Sequence, residues 1–213
     1  MATALLVALC AGFYSCGGGN DETPLNNDDN SNISNENGNS VIVGTTAMVQ
    51  LKKVGALSTL ISDNVKFNIT NLRIIGDING DDIALIREMA GADTKGNETN
   101  GKLTNLNLLN ANLVSGGTYY NGITQDIFLN NELWQYMFYK CGSLTTIVLP
   151  NNIEHIGAFA LSHSGITSFT IPNNIQTIGS EAFANCTKLE SIVIGNSIVS
   201  AAENMLDGCI NLK

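Results

Sequence analysis

The acidic segment DINGDDIALIRE is the first place where residue types and spacing suggest chemistry. Its oxygen-bearing side chains have nearly the spacing of an EF-hand calcium loop: Asp77, Asn79, Asp81 and Glu88. However, Asp82 occupies the sixth position, where such a loop needs glycine for its sharp turn, and Leu85 occupies a ligand position. Acidic residues at this place are more typical of a helix N-terminus, where they complement the helix dipole. We therefore predict no metal site here.

The two histidines, His155 and His163, are the next candidates for acid–base or metal chemistry. Both fall at variable positions of repeated segments, and neither has a catalytic partner nearby in the sequence. The sequence also contains no nucleophile elbow, no zinc-protease helix and no phosphate-binding loop. We therefore predict no catalytic residue and no cofactor, and expect that the protein is not an enzyme.

Three cysteines recur at one position of these segments, which Ser164 occupies in a fourth case: Cys141, Cys186 and Cys209. A metal site or a disulfide would use them chemically. A small buried apolar residue is the commoner role of a free cysteine. Because serine replaces it in the series, we favour the buried role.

The charge balance limits the partners. Ten Lys and Arg residues stand against nineteen Asp and Glu residues, which gives a net charge of −9. A nucleic-acid phosphate backbone recruits basic side chains, so we predict no nucleic-acid partner.

The N-terminus has the features of an export signal. Residues 4–13, ALLVALCAGF, form an apolar run that is too short for a membrane span of about 20 residues but fits a signal-peptide core. The following Ser15 and Cys16 resemble the lipobox of bacterial lipoproteins, which implies cleavage after residue 15 and lipidation of Cys16. The alternative is a buried N-terminal helix with an ordinary core cysteine. Residues 16–40 are rich in Asn, Asp, Ser and Gly, and this composition predicts a flexible polar tether.

The C-terminal part is periodic. Apolar residues recur at a regular interval: successive members of the set Leu144, Ile166, Leu189 and Leu212 are 22, 23 and 23 residues apart. Other sets of apolar residues recur at the same interval, and we call each such set a ladder. A unit of this length cannot bury its own apolar face and must stack on its neighbours. Alternation within LTTIVLP sends Ile147 and Leu149 inward and Thr146 and Val148 outward. The periodicity therefore predicts a solenoid with short parallel strands.

The repeated motif L-x-x-I-x-I-P-x-x-I-x-x-I-G-x-x-A-F-x-x-C, nearly complete in TSFTIPNNIQTIGSEAFANC, resembles the BspA-type leucine-rich repeat family. The resemblance implies an α/β leucine-rich repeat solenoid over residues 131–213. It also implies adhesion or protein binding, and the outward strand residues are the candidate ligand-binding face: Thr146, Val148, Ser168, Thr170, Ser191 and Val193.

Residues 41–130 resemble the cap region that precedes such repeats. NLRIIG and LTNLNLLNANLV read as strands, and DDIALIREMAG between them reads as a helix with an aspartate cap and Gly91 as its stop. Strand, helix and strand in this order predict parallel pairing with the helix as crossover. ALSTLISDN, residues 56–64, also has helical apolar spacing.

An aromatic cluster lies where the cap meets the repeats: Trp134, Tyr136, Phe138 and Tyr139. Such a cluster packs in a core or stacks on a glycan, and core packing is the favoured interpretation.

Together these features predict a lipid-anchored protein on the outer-membrane surface of a Gram-negative bacterium. It would touch the membrane through its lipid alone and bind a protein of the host or of a neighbouring cell. The alternatives are a non-adhesive structural or periplasmic lipoprotein and an accessory protein of glycan use. The sequence does not determine the oligomeric state.

Overall fold

The computed structural model describes residues 30–117 and 131–213. The first part contains five strands, two short 3-10 helices and one α-helix: β1 Asn30–Asn35, β2 Gly38–Val43, β3 Thr46–Leu51, 3-10 turns Leu57–Thr59 and Lys66–Asn68, β4 Asn71–Ile78, α1 Gly80–Met89 and β5 Asn105–Leu113. The second part contains seven short strands: β6 Glu132–Leu133, β7 Thr146–Val148, β8 His155–Ile156, β9 Ser168–Thr170, β10 Thr177–Ile178, β11 Ser191–Val193 and β12 Ser200–Ala201.

Three sheets organise these strands. A six-stranded sheet has the order β1-β2-β3-β4-β5-β7, with antiparallel pairs from β1 to β3 and parallel pairs from β3 to β7. Strands β9 and β11 pair in parallel, and β6, β8, β10 and β12 form a separate parallel sheet. The fold is thus of the leucine-rich repeat type, rich in short parallel strands.

Strand β4, helix α1 and strand β5 form the predicted parallel crossover. The helix is capped by Asn79 rather than by the predicted aspartate. The Asn79 Oδ1 accepts hydrogen bonds from the N–H groups of Asp81 (3.0 Å) and Asp82 (3.5 Å). The Asp82 carboxylate in turn accepts one from the Asn79 N–H (3.0 Å), so Asn79 and Asp82 bond to each other reciprocally. This reciprocal pair is a capping box, which satisfies N–H groups that have no partner within the helix. After the C-cap at Ala90, Gly91 has a φ of +101°, so it ends the helix as predicted.

Two of the predictions for the first part are wrong. The flexible tether predicted over residues 16–40 does not extend through its last residues, because β1 and the start of β2 form an antiparallel hairpin there. Residues 16–29 lie outside the described residues, as does the predicted signal peptide. Helical spacing in residues 56–64 produces only the 3-10 turn Leu57–Thr59.

Neighbouring repeat segments contact each other along three sides of the repeated part. The first side contains strands β7, β9 and β11, and the second contains strands β6, β8, β10 and β12. On the third side, turns are joined by backbone hydrogen bonds from one segment to the next, such as Phe138 N–H to the Ala160 carbonyl (2.7 Å) and Leu161 N–H to the Ala182 carbonyl (2.8 Å). Each segment therefore takes hydrogen-bond partners from its neighbours.

One hydrophobic core runs through both parts. In the repeats, the predicted inward positions are buried as far as the segment that ends at Leu189, with Leu144, Ile153 and Phe138 inaccessible to solvent. The last segment departs from the prediction, because Ile194 is 52% exposed and Leu212 is only partly buried. Burying such a side chain stabilises the fold by about 1.5–3 kcal/mol, so each buried ladder residue strengthens the packing between segments. No helix in residues 30–117 or 131–213 is both long and apolar enough to cross a membrane.

Candidate functional site

Strands β2, β3, β4, β5 and β7 present a common open face, on the side of the sheet away from the core. The register aligns its side chains in two rows. The first row is Val43, Thr46, Asn71, Asn105 and Thr146. The second row is Val41, Met48, Arg73, Asn107 and Val148.

The alternation of side chains creates this face. Between the two rows lies the buried row Ala47, Leu72, Leu106 and Ile147, each at most 8% exposed and directed to the core. Since successive side chains of a strand point to opposite sides of the sheet, burying this row exposes its neighbours. The open face is thus a direct consequence of the same pattern that forms the core.

The predicted ligand-binding residues lie in the exposed positions of three strands. In β7, Thr146 and Val148 are exposed on either side of buried Ile147. In β9, Ser168 and Thr170 are exposed on either side of buried Phe169, and in β11 Ser191 and Val193 flank Ile192. The exposed alternation predicted from the sequence is confirmed, whereas their role in binding stays a prediction.

The sequence prediction limited the face to the repeats and missed its continuation into the first part. Thr46, Asn71 and Asn105 extend the row of Thr146, and Met48, Arg73 and Asn107 extend the row of Val148. The signal was present, because β4 and β5 were both predicted as strands and predicted to pair in parallel. What the sequence did not reveal was the register that aligns β5 with β7.

A groove of about 260 Å³ lies on this open face, lined by residues of both rows from β3 to β7. Two of its side chains are linked across strands, since Asn105 Nδ2 donates a hydrogen bond to Asn71 Oδ1 (2.8 Å). Of the described residues in the two rows, only Arg73 is charged. Its Nε is buried and has no hydrogen-bond partner among the described residues.

Comparison with known proteins identifies the repeats. Residues 118–213 match the family described as "BspA type Leucine rich repeat region", in six copies. Residues 118–213 are therefore repeats of the BspA type. The match begins at residue 118, inside the segment that we assigned to the cap, and residues 118–130 lie outside the described residues.

Several solved structures resemble the chain at low identity. A leucine-rich repeat protein from Bacteroides ovatus ATCC 8483 is 20% identical, with a TM-score of 0.41, over 72% of this chain and 35% of its own. The pneumococcal vaccine antigen PcpA is 14% identical, with a TM-score of 0.35, over 84% of this chain and 47% of its own. A leucine-rich cell surface protein from Faecalibacterium prausnitzii A2-165 is 15% identical, with a TM-score of 0.32, over 86% of this chain and 58% of its own.

The chain therefore spans between 35% and 58% of the length of these three structures. At such identities and TM-scores, the likeness carries no conclusion about what this chain binds. No curated protein shows significant sequence similarity to it.

The cysteines of the BspA-type repeats pack as predicted. Cys141 and Cys186 are fully buried, and Cys209 is partly buried. The Cys186 thiol donates a hydrogen bond to the Leu161 carbonyl (3.1 Å), and the Cys209 thiol donates one to the Phe183 carbonyl (3.1 Å). Burial raises the pKa of the Cys141 thiol to about 11 and also raises the pKa of the Cys186 and Cys209 thiols. Because the thiolate is the nucleophile and metal ligand, these protonated thiols have little reactivity.

The histidines serve the packing between repeats. His155 Nδ1 lies 2.8 Å from Thr177 Oγ1 in the adjacent strand, and Glu132 lies opposite His155 in the strand on the other side. Burial raises the pKa of Glu132, although the nearby His155 opposes the shift. His163 is exposed and meets the Tyr139 ring edge-on. No group of three potential metal ligands occurs in the part of the chain that the structure describes.

The aromatic cluster divides into two parts. Trp134 and Phe138 are buried in the core, in agreement with the favoured interpretation. Tyr136 and Tyr139 are half-buried, and the Tyr136 ring stacks on Phe159 of the next segment with centroids 4.8 Å apart. The stack covers one face of the Tyr136 ring, so that face is not open to a glycan.

Proposed function

We propose that this chain is a lipid-anchored surface protein of a Gram-negative bacterium that binds a protein ligand, without catalysis, through the open face of its sheet. The observation that carries the proposal is the continuity of this face from β2 to β7, with a groove on it. The exposed side chains of β9 and β11 add to the available surface. Repeat proteins use extended surfaces of this kind for binding.

We further propose that the repeats form a solenoid of 22–23-residue units and that residues 41–117 form the greater part of its α/β cap. The repeat strands β7, β9 and β11 begin at residues 146, 168 and 191, which supports this repeat length. The pairing of β5 with β7 supports the cap, since β5 covers the edge of β7 that would otherwise have unpaired backbone groups.

The chemistry of the face favours a protein ligand. The side chains are hydroxyl, amide and aliphatic groups, which match the mixed polar and apolar character of protein interfaces. Val148 is 39% exposed and Val193 is 59% exposed, which leaves apolar area that a partner can bury. Such small side chains are not typical hot spots, so we expect the affinity per repeat to be modest.

Adhesion of whole cells tests the binding surface. A bacterial host that displays the protein is compared with the Thr146→Glu/Val148→Arg double variant, on immobilised extracellular-matrix proteins and on cells of other bacterial species. We expect adhesion to fall at least about tenfold, since charges placed in an interface cost several kcal/mol. Exposed residues outside the two rows provide the matched control, Gln176→Arg/Thr187→Glu, which likewise leaves the net charge unchanged and should adhere like the wild type. Equal adhesion of all three proteins would overturn the proposed face.

Metabolic labelling with an alkyne-palmitate analogue tests the anchor. We expect label in the wild type and none in Cys16→Ala. Proteolysis of intact cells then separates a surface protein, which is degraded, from a periplasmic structural lipoprotein, which is protected. Equal labelling of both proteins would exclude Cys16 as the anchor.

A further inference from the structure

We infer that Arg73 is the anchor for a carboxylate, supplied by an aspartate or glutamate side chain of a polypeptide segment that lies in the groove. This inference rests on the proposed function and specifies the ligand chemistry of the open face. Arg73 lies in the second row, in register with Met48 on one side and Asn107 on the other, and it lines the groove.

The Arg73 guanidinium has a donor that the described residues do not use. Its Nε is buried but has no hydrogen-bond partner among them. A buried donor without a partner costs about 1–3 kcal/mol, so a rotation of the Arg73 side chain that turns Nε toward an acceptor in the groove recovers this free energy. A carboxylate accepts from Nε and an Nη together in two parallel bonds, the geometry in which arginine binds acids best.

Arg87, the second arginine of the chain, has a structural role and provides a comparison for the hydrogen bonds of Arg73. Arg87 is fully buried, and its guanidinium donates to backbone carbonyls of Asp93, Tyr136, Met137 and Tyr139. Its Nε donates to the Asp93 carbonyl, whereas the Nε of Arg73 is left without a partner. The contrast shows that the fold uses the Nε donor of Arg87 but not the Nε donor of Arg73.

The surroundings of Arg73 select a single carboxylate rather than a polyanion. The two rows hold one cation and no acidic side chain among the described residues, and the net charge of −9 repels a polyanion as a whole. At physiological salt, charges further than about 8 Å away are largely screened, so one acidic side chain in contact with Arg73 is still attracted. A phosphate chain or a nucleic acid would need several such contacts.

The apolar neighbours favour a polypeptide over a sugar acid as the source. Met48 lies beside Arg73 in the second row with Val41 beyond it, and Val148 lies beyond Asn107 on the other side. Aliphatic groups at these places fit the side chains that flank an acid in a peptide. The two rows contain no aromatic side chain among the described residues, so a sugar ring would find no stacking surface there.

Nuclear magnetic resonance of the arginine Nε–Hε groups tests the inference directly. Arg73 and Arg87 are the only arginines of the chain, so two signals are expected, and the Arg87 signal serves as an internal control. The probe is the blocked tripeptide acetyl-Val-Glu-Val-amide, and its neutral match is acetyl-Val-Gln-Val-amide. We expect the Glu peptide to shift the Arg73 signal saturably and leave Arg87 unchanged, with at least about tenfold weaker binding of the Gln peptide.

Two variants complete the test. Arg73→Met keeps an unbranched chain in the row and should lose the response of neighbouring backbone amides to the Glu peptide. Asn107→Asp leaves Arg73 in place but puts an acid beside it, and should also weaken binding at least about tenfold. The Asn107 oxygen that accepts from the Leu109 N–H is retained in this variant, so the fold should persist.

The opposing outcomes are distinct. Equal shifts from the Glu and Gln peptides, or no shift of Arg73 at the highest peptide concentration, would overturn the carboxylate anchor. A larger shift with glucuronate than with the Glu peptide would overturn the polypeptide source. If the adhesion test succeeds while Arg73→Met cells adhere normally, the proposed function stands and this inference alone fails.

Discussion

Arg87 and Tyr139 lie 52 residues apart in the chain, yet Arg87 Nη2 donates a hydrogen bond to the Tyr139 carbonyl (3.0 Å). Nη1 of the same guanidinium donates to the carbonyls of Tyr136 and Met137. These carbonyls belong to the turn that begins the repeats, and Arg87 belongs to the helix before them. One buried cation therefore fixes the orientation of helix α1 against the first turn of the repeats.

Replacing Arg87 should destabilise the whole protein. Arg87→Met leaves carbonyl oxygens buried without donors, and we expect a loss of at least about 3 kcal/mol in the free energy of unfolding, since each buried group left unpaired costs about 1–3 kcal/mol. Urea unfolding followed by circular dichroism measures the change. The control is Lys66→Met, which removes a partly exposed cation from Asp63 and Glu88 and should cost less than about 1 kcal/mol. Similar losses in the two variants would contradict the role given to Arg87.

Replacing Asp82 should lower the free energy of unfolding about as much as replacing Arg87, through contacts within residues 30–117. Its carboxylate accepts backbone N–H groups of Gly55 (2.8 Å), Leu57 (2.9 Å) and Asn79 (3.0 Å). Asp82→Ala leaves three donors without this acceptor, and we expect a loss of at least about 3 kcal/mol. The exposed neighbour provides the control, because Asp81→Ala removes mainly a favourable interaction with the helix dipole, worth less than about 1 kcal/mol. The same urea titration compares them, and an equal effect of both changes would refute the prediction.

Alkaline pH should destabilise the fold through Cys141. Burial raises the pKa of its thiol from 9.0 to about 11. Between these values the unfolded thiol loses its proton while the folded thiol keeps it, so the unfolded state binds fewer protons and the free energy of unfolding falls as pH rises. A shift of this size corresponds to at most about 2–3 kcal/mol.

The measurement is urea unfolding in the presence of reductant at several pH values from about 8 upward. Cys141→Ala removes the titrating group, so its stability should decline less steeply across the window than that of the wild type. The comparison of slopes cancels the constant cost of the smaller side chain. Parallel declines would show that Cys141 does not cause the alkaline loss.

Residues with a left-handed backbone conformation occur at one position of the repeats, and substitutions to or from glycine there should change the free energy of unfolding by different amounts. Lys140, Asn185 and Gly208 have φ values of 61°, 57° and 74°, and they occupy equivalent turns. A left-handed conformation costs a lysine about 1–2 kcal/mol, whereas asparagine tolerates it and glycine adopts it freely.

We therefore expect Lys140→Gly to raise the free energy of unfolding by about 0.5 kcal/mol, after the extra chain entropy of unfolded glycine is subtracted. Asn185→Gly should change it little, and Gly208→Ala should lower it by about 1–2 kcal/mol. Thermal unfolding of the three variants ranks them. A destabilised Lys140→Gly would show that the side chain contributes more than its backbone conformation costs.

The repeats could be predicted because their physics is local and repeated. Every ladder position, such as Ile147 or Leu149, appears several times at one spacing, and the same alternation that buries it exposes Thr146 and Val148. The hairpin of β1 and β2 could not be predicted in the same way. Its strand β1, NSNISN, contains a single apolar residue, Ile33, so its pairing depends on neighbours rather than on its own pattern.

The roles of Arg87 and Arg73 could not be predicted from the sequence either. A charged residue on a helix is normally assigned to the solvent side, yet Arg87 is buried because distant carbonyls converge on it. Arg73 was passed over because its importance depends on register: only the alignment of β3, β4 and β5 puts Met48 and Asn107 beside it. Both facts are set by contacts between residues far apart in the chain.

The graded burial of the three repeat cysteines has a practical consequence. Cys141 and Cys186 are sealed inside the core, whereas Cys209 is only partly covered. An alkylating reagent added to the folded protein can reach Cys141 and Cys186 only when the segment around each one opens, so their labelling rates report how often those segments open, whereas the partly covered Cys209 is labelled first. The natural chain thus contains its own kinetic probes, with which mass spectrometry can read the order in which the segments come apart.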